Sequence, residues 1–261
     1  DSIAVSDVSV SEVTINIKGR GWQLAKLSLT KDLNFALRIR NRFGSQTINA
    51  KNELENNTWY NSNFQITEII PENINLHVEK LRTKYLKIIP RINLGFKEGF
   101  SQVDKIILSR DSVKVFGPWS ILRNLDSIYT KEYTFNNLDK KIHERIELEV
   151  MNLMKYNTLS VYATIDIQKI VDKIFTNVLL VTKDVPPSYI LQPIPNSVDV
   201  KLRGGINILG KMNSSDIKAI IDFRSAFVDT LGFLEPNIQI PPYSTIIEIK
   251  PNKIEYIIKQ Y

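Results

Sequence analysis

Apolar and polar residues alternate in many short stretches of this chain, which is typical of β-strands with one buried face. In residues 113–116, valine occupies every second position. Gly117 and Pro118 then end the strand, because proline has no amide to donate to a ladder and glycine tolerates a sharp turn. Apolar residues recur at helical spacing over 119–125. This stretch therefore predicts a strand, a glycine break and a short helical segment.

The same unit of strand, glycine break and apolar continuation occurs three times, in residues 13–24, 113–125 and 198–209. The copies follow one another at long and roughly constant spacing, and such self-similarity indicates repeated modules. We predict that the glycines of the three breaks form the structural turns of the repeats. These glycines are Gly19, Gly117 and Gly204.

Further alternating runs predict additional strands. They occupy residues 2–10, 33–39, 74–78, 129–135, 146–150, 159–167 and 254–258, the first of them as an edge strand. The run 217–223 is mostly apolar, which favours a strand buried on both faces. Residues 41–63 are polar and predict a loop.

Strand-type segments outnumber helical patterns, so the predicted fold is mostly β with short helical segments. The repeats divide the chain into three tandem modules, which we place at 1–80, 81–170 and 171–261. Prolines at 90 and at 186–187 mark the junctions, because proline stiffens a connection. We expect an elongated chain whose small modules leave little room for a deep pocket.

The three units resemble the YbbR repeat found in CdaR-type regulators of membrane diadenylate cyclases. Other stretches fit the same pattern in the same order. They are the junction at 88–100, the proline-rich stretch at 185–198 and the closing segment at 247–259, which resembles the Bacteroidetes-like form. The resemblance covers nearly the whole chain, and its specificity comes from the order of the motifs.

This resemblance implies three YbbR-like modules in the extracytoplasmic part of a membrane-anchored regulator of cyclic di-AMP signalling. The partner would be a membrane diadenylate cyclase, met through an N-terminal membrane helix that is absent from this sequence. The modules would then lie on the periplasmic side of the inner membrane. The alternative is an envelope scaffold or binding protein that interacts with cell-wall polymer or secretion machinery.

Composition narrows the candidate chemistry. The chain has no cysteine, which excludes disulfides, thiol catalysis and cysteine-based metal sites. Its net charge of +6 suits either attraction to an anionic surface or a solvated basic surface, and the basic residues form no block. We expect no nucleic-acid binding, because no basic cluster is interleaved with aromatic residues.

Few residues qualify for catalysis or metal binding. His77 alternates with buried positions and predicts a surface strand residue, and His143 lies in a charged stretch that fits a solvated loop. Glu147 and Glu149 would share a strand face without further ligands nearby. Trp22 and Trp119 follow the glycine breaks, so we expect both in the repeat core. We therefore predict no enzyme activity, no catalytic, cofactor or metal residues, and no small-molecule substrate.

Overall fold

The protein, seen in a computed structural model that describes residues 2–29, 33–60 and 64–261, is built mostly of β-strands with a few short helices. The predicted fold class, mostly β with short helical segments, is confirmed. Within these described ranges, no helix has the length and apolar character needed to span a bilayer.

The chain forms two compact units, each assembled from three separate segments. Unit 1 comprises Asp1–Ile89, Arg110–Thr130 and Glu147–Ser160, and unit 2 comprises Pro90–Ser109, Lys131–Ile146 and Val161–Tyr261. The division into three modules at 1–80, 81–170 and 171–261 stays a prediction.

The first half of the chain supplies eleven described strands and two α-helices. The strands are β1 (Ile3–Val8), β2 (Thr14–Lys18), β3 (Gly44–Asn49), β4 (Gln65–Ile70), β5 (Asn73–Phe96), β6 (Phe100–Gln102), β7 (Ile107–Leu108), β8 (Ser112–Pro118), β9 (Ser127–Leu138), β10 (Ile142–Glu147) and β11 (Lys155–Tyr156). The helices are α1 (Gly21–Ser28) and α2 (Trp119–Leu122), and a 3-10 helix spans Ala50–Asn56.

The second half supplies nine more described strands and two further α-helices. The strands are β12 (Ser160–Ile165), β13 (Ile167–Lys183), β14 (Tyr189–Ile194), β15 (Ser197–Gly205), β16 (Lys218–Asp222), β17 (Phe233–Leu234), β18 (Asn237–Gln239), β19 (Thr245–Lys250) and β20 (Ile254–Gln260). The helices are α3 (Ile206–Lys211) and α4 (Phe223–Val228), and a second 3-10 helix spans Ser214–Asp216.

The main sheet of unit 1 is organised by the long strand β5. Strands follow the order β1-β5-β8-β11, with β3 and β9 also paired to β5, while β2 and β4 form a separate two-stranded sheet. The predicted edge strand at 2–10 is confirmed by β1. In β5, Ile74, Leu76 and Val78 are buried and the residues between them are exposed, so the alternating pattern identified the core face correctly.

The predicted strand at 33–39 is wrong. Residues 33–40 carry no regular structure, although Leu37 and Ile39 pack against the buried side chains of β3 and β5. Their neighbouring amides bond to side chains instead of a strand: Ala36 N donates to Asn57 Oδ1 at 2.6 Å and Arg38 N to Glu53 Oε2 at 2.8 Å. The alternating pattern therefore correctly predicted that Leu37 and Ile39 pack on the core. It did not predict a strand correctly, because side chains and not a neighbouring strand accept the backbone hydrogen bonds.

The predicted loop at 41–63 is also wrong for its central part. This stretch contains β3 and the first 3-10 helix, whose Ala50 and Leu54 are buried. Asn49 caps that helix by accepting a hydrogen bond from Lys51 N at 3.1 Å, which explains how a polar stretch begins a helical turn. Residues 61–63 lie outside the described residues.

Unit 2 contains three sheets. One has the order β18-β16-β13-β15-β19 with β6 added on β13, and the others have the orders β14-β20-β17 and β10-β12-β7. A large core lies in unit 2, where Phe175, Val200, Leu202 and Leu209 are among the buried residues. The closing strand predicted at 254–258 is confirmed by β20.

Two strand predictions in this half need correction. The run 217–223 is not buried on both faces: β16 buries Ala219 and Ile221, while Lys218 is exposed. The run 146–150 ends early, because β10 stops at Glu147 and Val150 is 51% exposed. Apolar character overstated burial in 217–223, and alternation overstated the length of the strand in 146–150.

A strand is followed by a short helix at each of the three predicted repeats, directly in the second and third and after two residues in the first. The pairs are β2 with α1, β8 with α2 and β15 with α3. Gly19, Gly117 and Gly204 do not have the left-handed backbone that favours glycine. They instead lack room for a side chain: an added Cβ would lie 3.0 Å from Phe64 Cδ1, 3.2 Å from Met154 Cγ and 2.8 Å from Ser244 Oγ, respectively.

Candidate functional site

A cleft of about 580 Å³ lies in unit 1 and is lined by aromatic and neutral polar side chains. Its lining residues come from α1, from the segment after it, from the turn after the first 3-10 helix and from the start of β4. They are Trp22, Gln23, Lys26, Leu27, Leu33, Asn34, Thr58, Trp59, Tyr60 and Phe64. Its volume falls within the range of small-molecule sites, roughly 300–1,000 Å³, so this unit has more room than we expected from small modules.

Helix α1 forms one wall of the cleft. The chain turns into the helix at Arg20, whose extended backbone precedes the first helical residue. Gln23 is buried and accepts a hydrogen bond from Arg20 N at 3.3 Å. Phe64 is buried against Gly19, where an added Cβ would lie 3.0 Å from the phenyl ring. The glycine break of the first repeat thus brings Phe64 next to the helix that carries Trp22.

The opposite wall is held by Asn57 and Trp59. Asn57 is buried, accepts from Ala36 N and donates to Glu53 O at 2.8 Å. Trp59 donates from Nε1 to Asn34 O at 3.2 Å, and its ring meets Tyr60 edge to face at 6.4 Å between centroids. These contacts fix the ring of Trp59 before any ligand arrives.

The position of the tryptophans corrects the sequence analysis. Trp22 and Trp119 are not core residues, because their side chains are 67% and 48% exposed. Trp22 lines the cleft, whereas Trp119 does not. The sequence analysis did not identify Trp59 and Tyr60 as site residues, because they lie in a polar stretch that was predicted to be a loop. The one available signal was that two large aromatic residues stand next to each other there.

Both histidines occupy exposed positions within β-strands. His77 occupies β5, as predicted, with its Nδ1 at 3.3 Å from Ser45 Oγ on the neighbouring strand. His143 lies in β10 rather than in a loop, stacks on Tyr162 at 4.9 Å and pairs through Nδ1 with Thr164 Oγ1 at 2.8 Å. Both are cross-strand side-chain pairs of the kind that stabilise sheets.

Polar groups near His77 lower the pKa of the Glu79 carboxyl group. Partial burial raises the pKa of Glu79, but hydrogen bonds from the amide and hydroxyl of Ser120 outweigh it and hold the pKa below its usual value. The amide of Ser120 lies 3.1 Å from Glu79 Oε2. Glu79 therefore remains charged at neutral pH and anchors the start of α2.

An ion-pair cluster joins two strands of unit 2. Arg203 donates to both oxygens of Asp172, at 2.7 and 3.2 Å, and Lys201 lies 3.2 Å from the same carboxylate. The hydrogen bonds from Arg203 and then Lys201 lower the pKa of Asp172 to about 2. This geometry ties β13 to β15 in their observed register.

Across residues 2–29, 33–60 and 64–261, no group of three or more histidine, aspartate or glutamate side chains could hold a metal ion. Glu147 and Glu149 are both exposed. The predictions that the chain has no catalytic, cofactor or metal residues and is not an enzyme stay predictions.

No protein-family model matches the sequence, and no curated protein matches it. The solved structure of a YbbR-like protein from Streptococcus pneumoniae TIGR4 is similar over 70% of this chain and 98% of that chain, with 13% identity and a TM-score of 0.34. A likeness at this TM-score carries no argument about function, so the YbbR resemblance rests on the sequence motifs.

Proposed function

We propose that this chain is the non-enzymatic, extracytoplasmic part of a membrane-anchored regulator of a diadenylate cyclase, and so acts on cyclic di-AMP levels. One observation carries the proposal. A short helix follows a strand, directly or after two residues, at each of the three places where the sequence resembles a YbbR repeat. Three copies of one local structure in the expected order support the resemblance better than any single motif.

The proposal gives the membrane and the modules separate tasks. A membrane helix preceding residue 1 would contact the cyclase and anchor the regulator in the inner membrane. The modules on the periplasmic side would receive a signal, and the cleft of unit 1 offers a preformed place for a ligand. Such a regulator needs binding rather than turnover, and differential binding is enough to shift an equilibrium between two states.

Co-purification from membranes tests the cyclase contact. The tagged proteins are the full-length regulator, residues 1–261 alone, the anchor helix alone, and residues 1–261 fused to an unrelated single-span helix. We expect the full-length protein and the native anchor to retain the cyclase. The unrelated anchor controls for simple membrane placement and should lose it.

Two outcomes would change the proposal. If residues 1–261 alone retain the cyclase as well as the full-length protein does, the contact lies in the modules and not in the membrane. If no form retains the cyclase, the regulator function is wrong. The envelope scaffold that binds cell-wall polymer or secretion machinery then becomes the better explanation.

A further inference from the structure

We propose that the cleft of unit 1 binds a carbohydrate, with sugar rings stacked on Trp22 and Trp59. This inference rests on the non-catalytic binding role proposed above and names the class of ligand that the modules receive. It does not depend on which membrane protein the anchor contacts.

The aromatic side chains provide the first argument. Trp22 is 67% exposed at the edge of the cleft, and Leu33 is 46% exposed beside it. Large apolar groups that are exposed together commonly mark a binding site. An aromatic ring carries negative charge on its face, and the C–H bonds on one side of a sugar ring present weakly positive hydrogens to that face. Exposed tryptophan and sugar are therefore complementary in both shape and charge.

The polar side chains provide the second argument. Gln23, Asn34 and Thr58 line the same cleft, and their amide and hydroxyl groups can both donate and accept hydrogen bonds. Sugar hydroxyl groups have the same dual character. Gln23 is also buried, which fixes its position in the wall. A ligand that combines apolar faces with neutral hydrogen-bonding edges matches this lining.

The lining also argues against other ligand classes. An organic cation would find aromatic faces in this cleft but no carboxylate among its described lining residues. Single-stranded nucleic acid requires a groove with several cationic side chains along the backbone, and Lys26 is the one cationic residue among the described lining residues. A fully apolar peptide face would leave the side-chain amide of Asn34 without a partner.

The cleft is preorganised, which lowers the entropic cost of binding. The ring of Trp59 is held by its hydrogen bond to Asn34 O and by its edge-to-face contact with Tyr60. Phe64 lies in the space left by Gly19. Trp22 lies on the first turn of α1 and stays exposed, so a sugar chain can stack on it while extending into solvent.

The three tryptophans of the chain make a direct test possible. Each indole N–H gives one signal in a nitrogen–proton correlation spectrum, and residues 1–261 can be titrated with tetrasaccharides of glucose, N-acetylglucosamine or mannose. We expect at least one tetrasaccharide to move the signals of Trp22 and Trp59 and to leave the signal of Trp119 in place. Trp119 is the internal control, because it is exposed in the second repeat but lies outside the cleft.

Substitutions then test the stacking itself. Trp22→Ala should weaken binding of that tetrasaccharide by about tenfold, as expected for loss of one aromatic contact. Trp22→Phe should retain most of the affinity, and the matched variant Trp119→Ala should leave it unchanged. Because Trp22 is exposed, its removal should preserve the circular dichroism spectrum and the melting temperature.

Three results would overturn the carbohydrate site. The first is no shift with any of the three tetrasaccharides at about 10 mM, tenfold above a dissociation constant of about 1 mM. The second is a set of shifts that affect Trp119 as much as Trp22, and the third is an unchanged affinity after Trp22→Ala. None of these bears on retention of the cyclase. Failure of the carbohydrate site and failure of the regulator function can therefore be told apart.

Discussion

Gly204 should be intolerant of even one additional carbon atom. An alanine Cβ at this position of β15 would lie 2.8 Å from Ser244 Oγ and 3.4 Å from Leu209 Cγ. Either β15 or the segment carrying Ser244 must then move, and overpacking of this kind costs about 1–3 kcal/mol. The reduced flexibility of the unfolded chain returns about 0.4–1 kcal/mol. We therefore expect Gly204→Ala to lower the free energy of unfolding by about 1–2 kcal/mol.

Ser244 offers a way to test the cause of this loss. Its hydroxyl oxygen is buried and has no hydrogen-bond partner among the described residues. Ser244→Ala alone should be neutral or slightly stabilising, because it removes a desolvated polar group. The double variant Gly204→Ala with Ser244→Ala lacks Ser244 Oγ, the atom nearest to the added Cβ. We expect the two substitutions to couple favourably by about 1 kcal/mol.

Urea unfolding followed by circular dichroism measures all four members of this cycle. Gly210→Ala is the matched control, because Gly210 lies in α3 of the same unit with nothing within 4 Å of an added Cβ. It should stabilise the protein by about 0.5–1 kcal/mol. Gly117→Ala should cost less than Gly204→Ala, because its nearest neighbour is the flexible side chain of Met154. A Gly204→Ala variant as stable as the wild type, or a cycle without coupling, would refute the steric argument.

Two further predictions concern polar contacts. Because Arg203 and Lys201 lower the folded pKa of Asp172 to about 2 from an unfolded value of 3.8, the stability that its charge provides is complete above pH 4 and is lost as the pH falls towards 2. The stability difference between wild type and Asp172→Asn should therefore shrink over that range in acid titrations of urea unfolding, and a constant difference would contradict this. Asn57→Ala removes the side-chain bonds to Ala36 and Glu53 and should cost about 1–3 kcal/mol. The neighbouring variant Asn56→Ala, at a less buried site, should cost less in the same assay, and equal losses would count against the buried network.

Local sequence determined the elements that depend on nearby residues. Alternation in β5 identified the buried face formed by Ile74, Leu76 and Val78, because successive side chains of a strand must point to opposite sides. The repeated units predicted a short helical segment after each strand, and α1, α2 and α3 follow β2, β8 and β15. Gly117 and Gly204 lie within β8 and β15, and the role of the three glycines as repeat turns stays a prediction. These features follow from backbone geometry, which each short stretch carries in its own residues.

Tertiary structure decided which partner each segment met. Residues 33–39 have the pattern of a strand, but the side chains of Asn57 and Glu53 bind the amides that a neighbouring strand would otherwise bind. Trp22 and Trp119 follow the glycine breaks and were expected in the repeat core, yet both remain exposed. The hydrophobic pattern of an element shows which of its faces is apolar. Whether that face is buried depends on which other parts of the chain pack against it.

The cleft depended most strongly on folding. Its lining residues come from 22–27, 33–34, 58–60 and 64, and no spacing within the sequence connects these groups. Gly19 allows Phe64 to pack beside α1, and Asn57 secures the segment that follows the helix. Stacking platforms form only when distant side chains are brought together at fixed distances, so the sequence supplied the aromatic groups and the tertiary contacts made them a site.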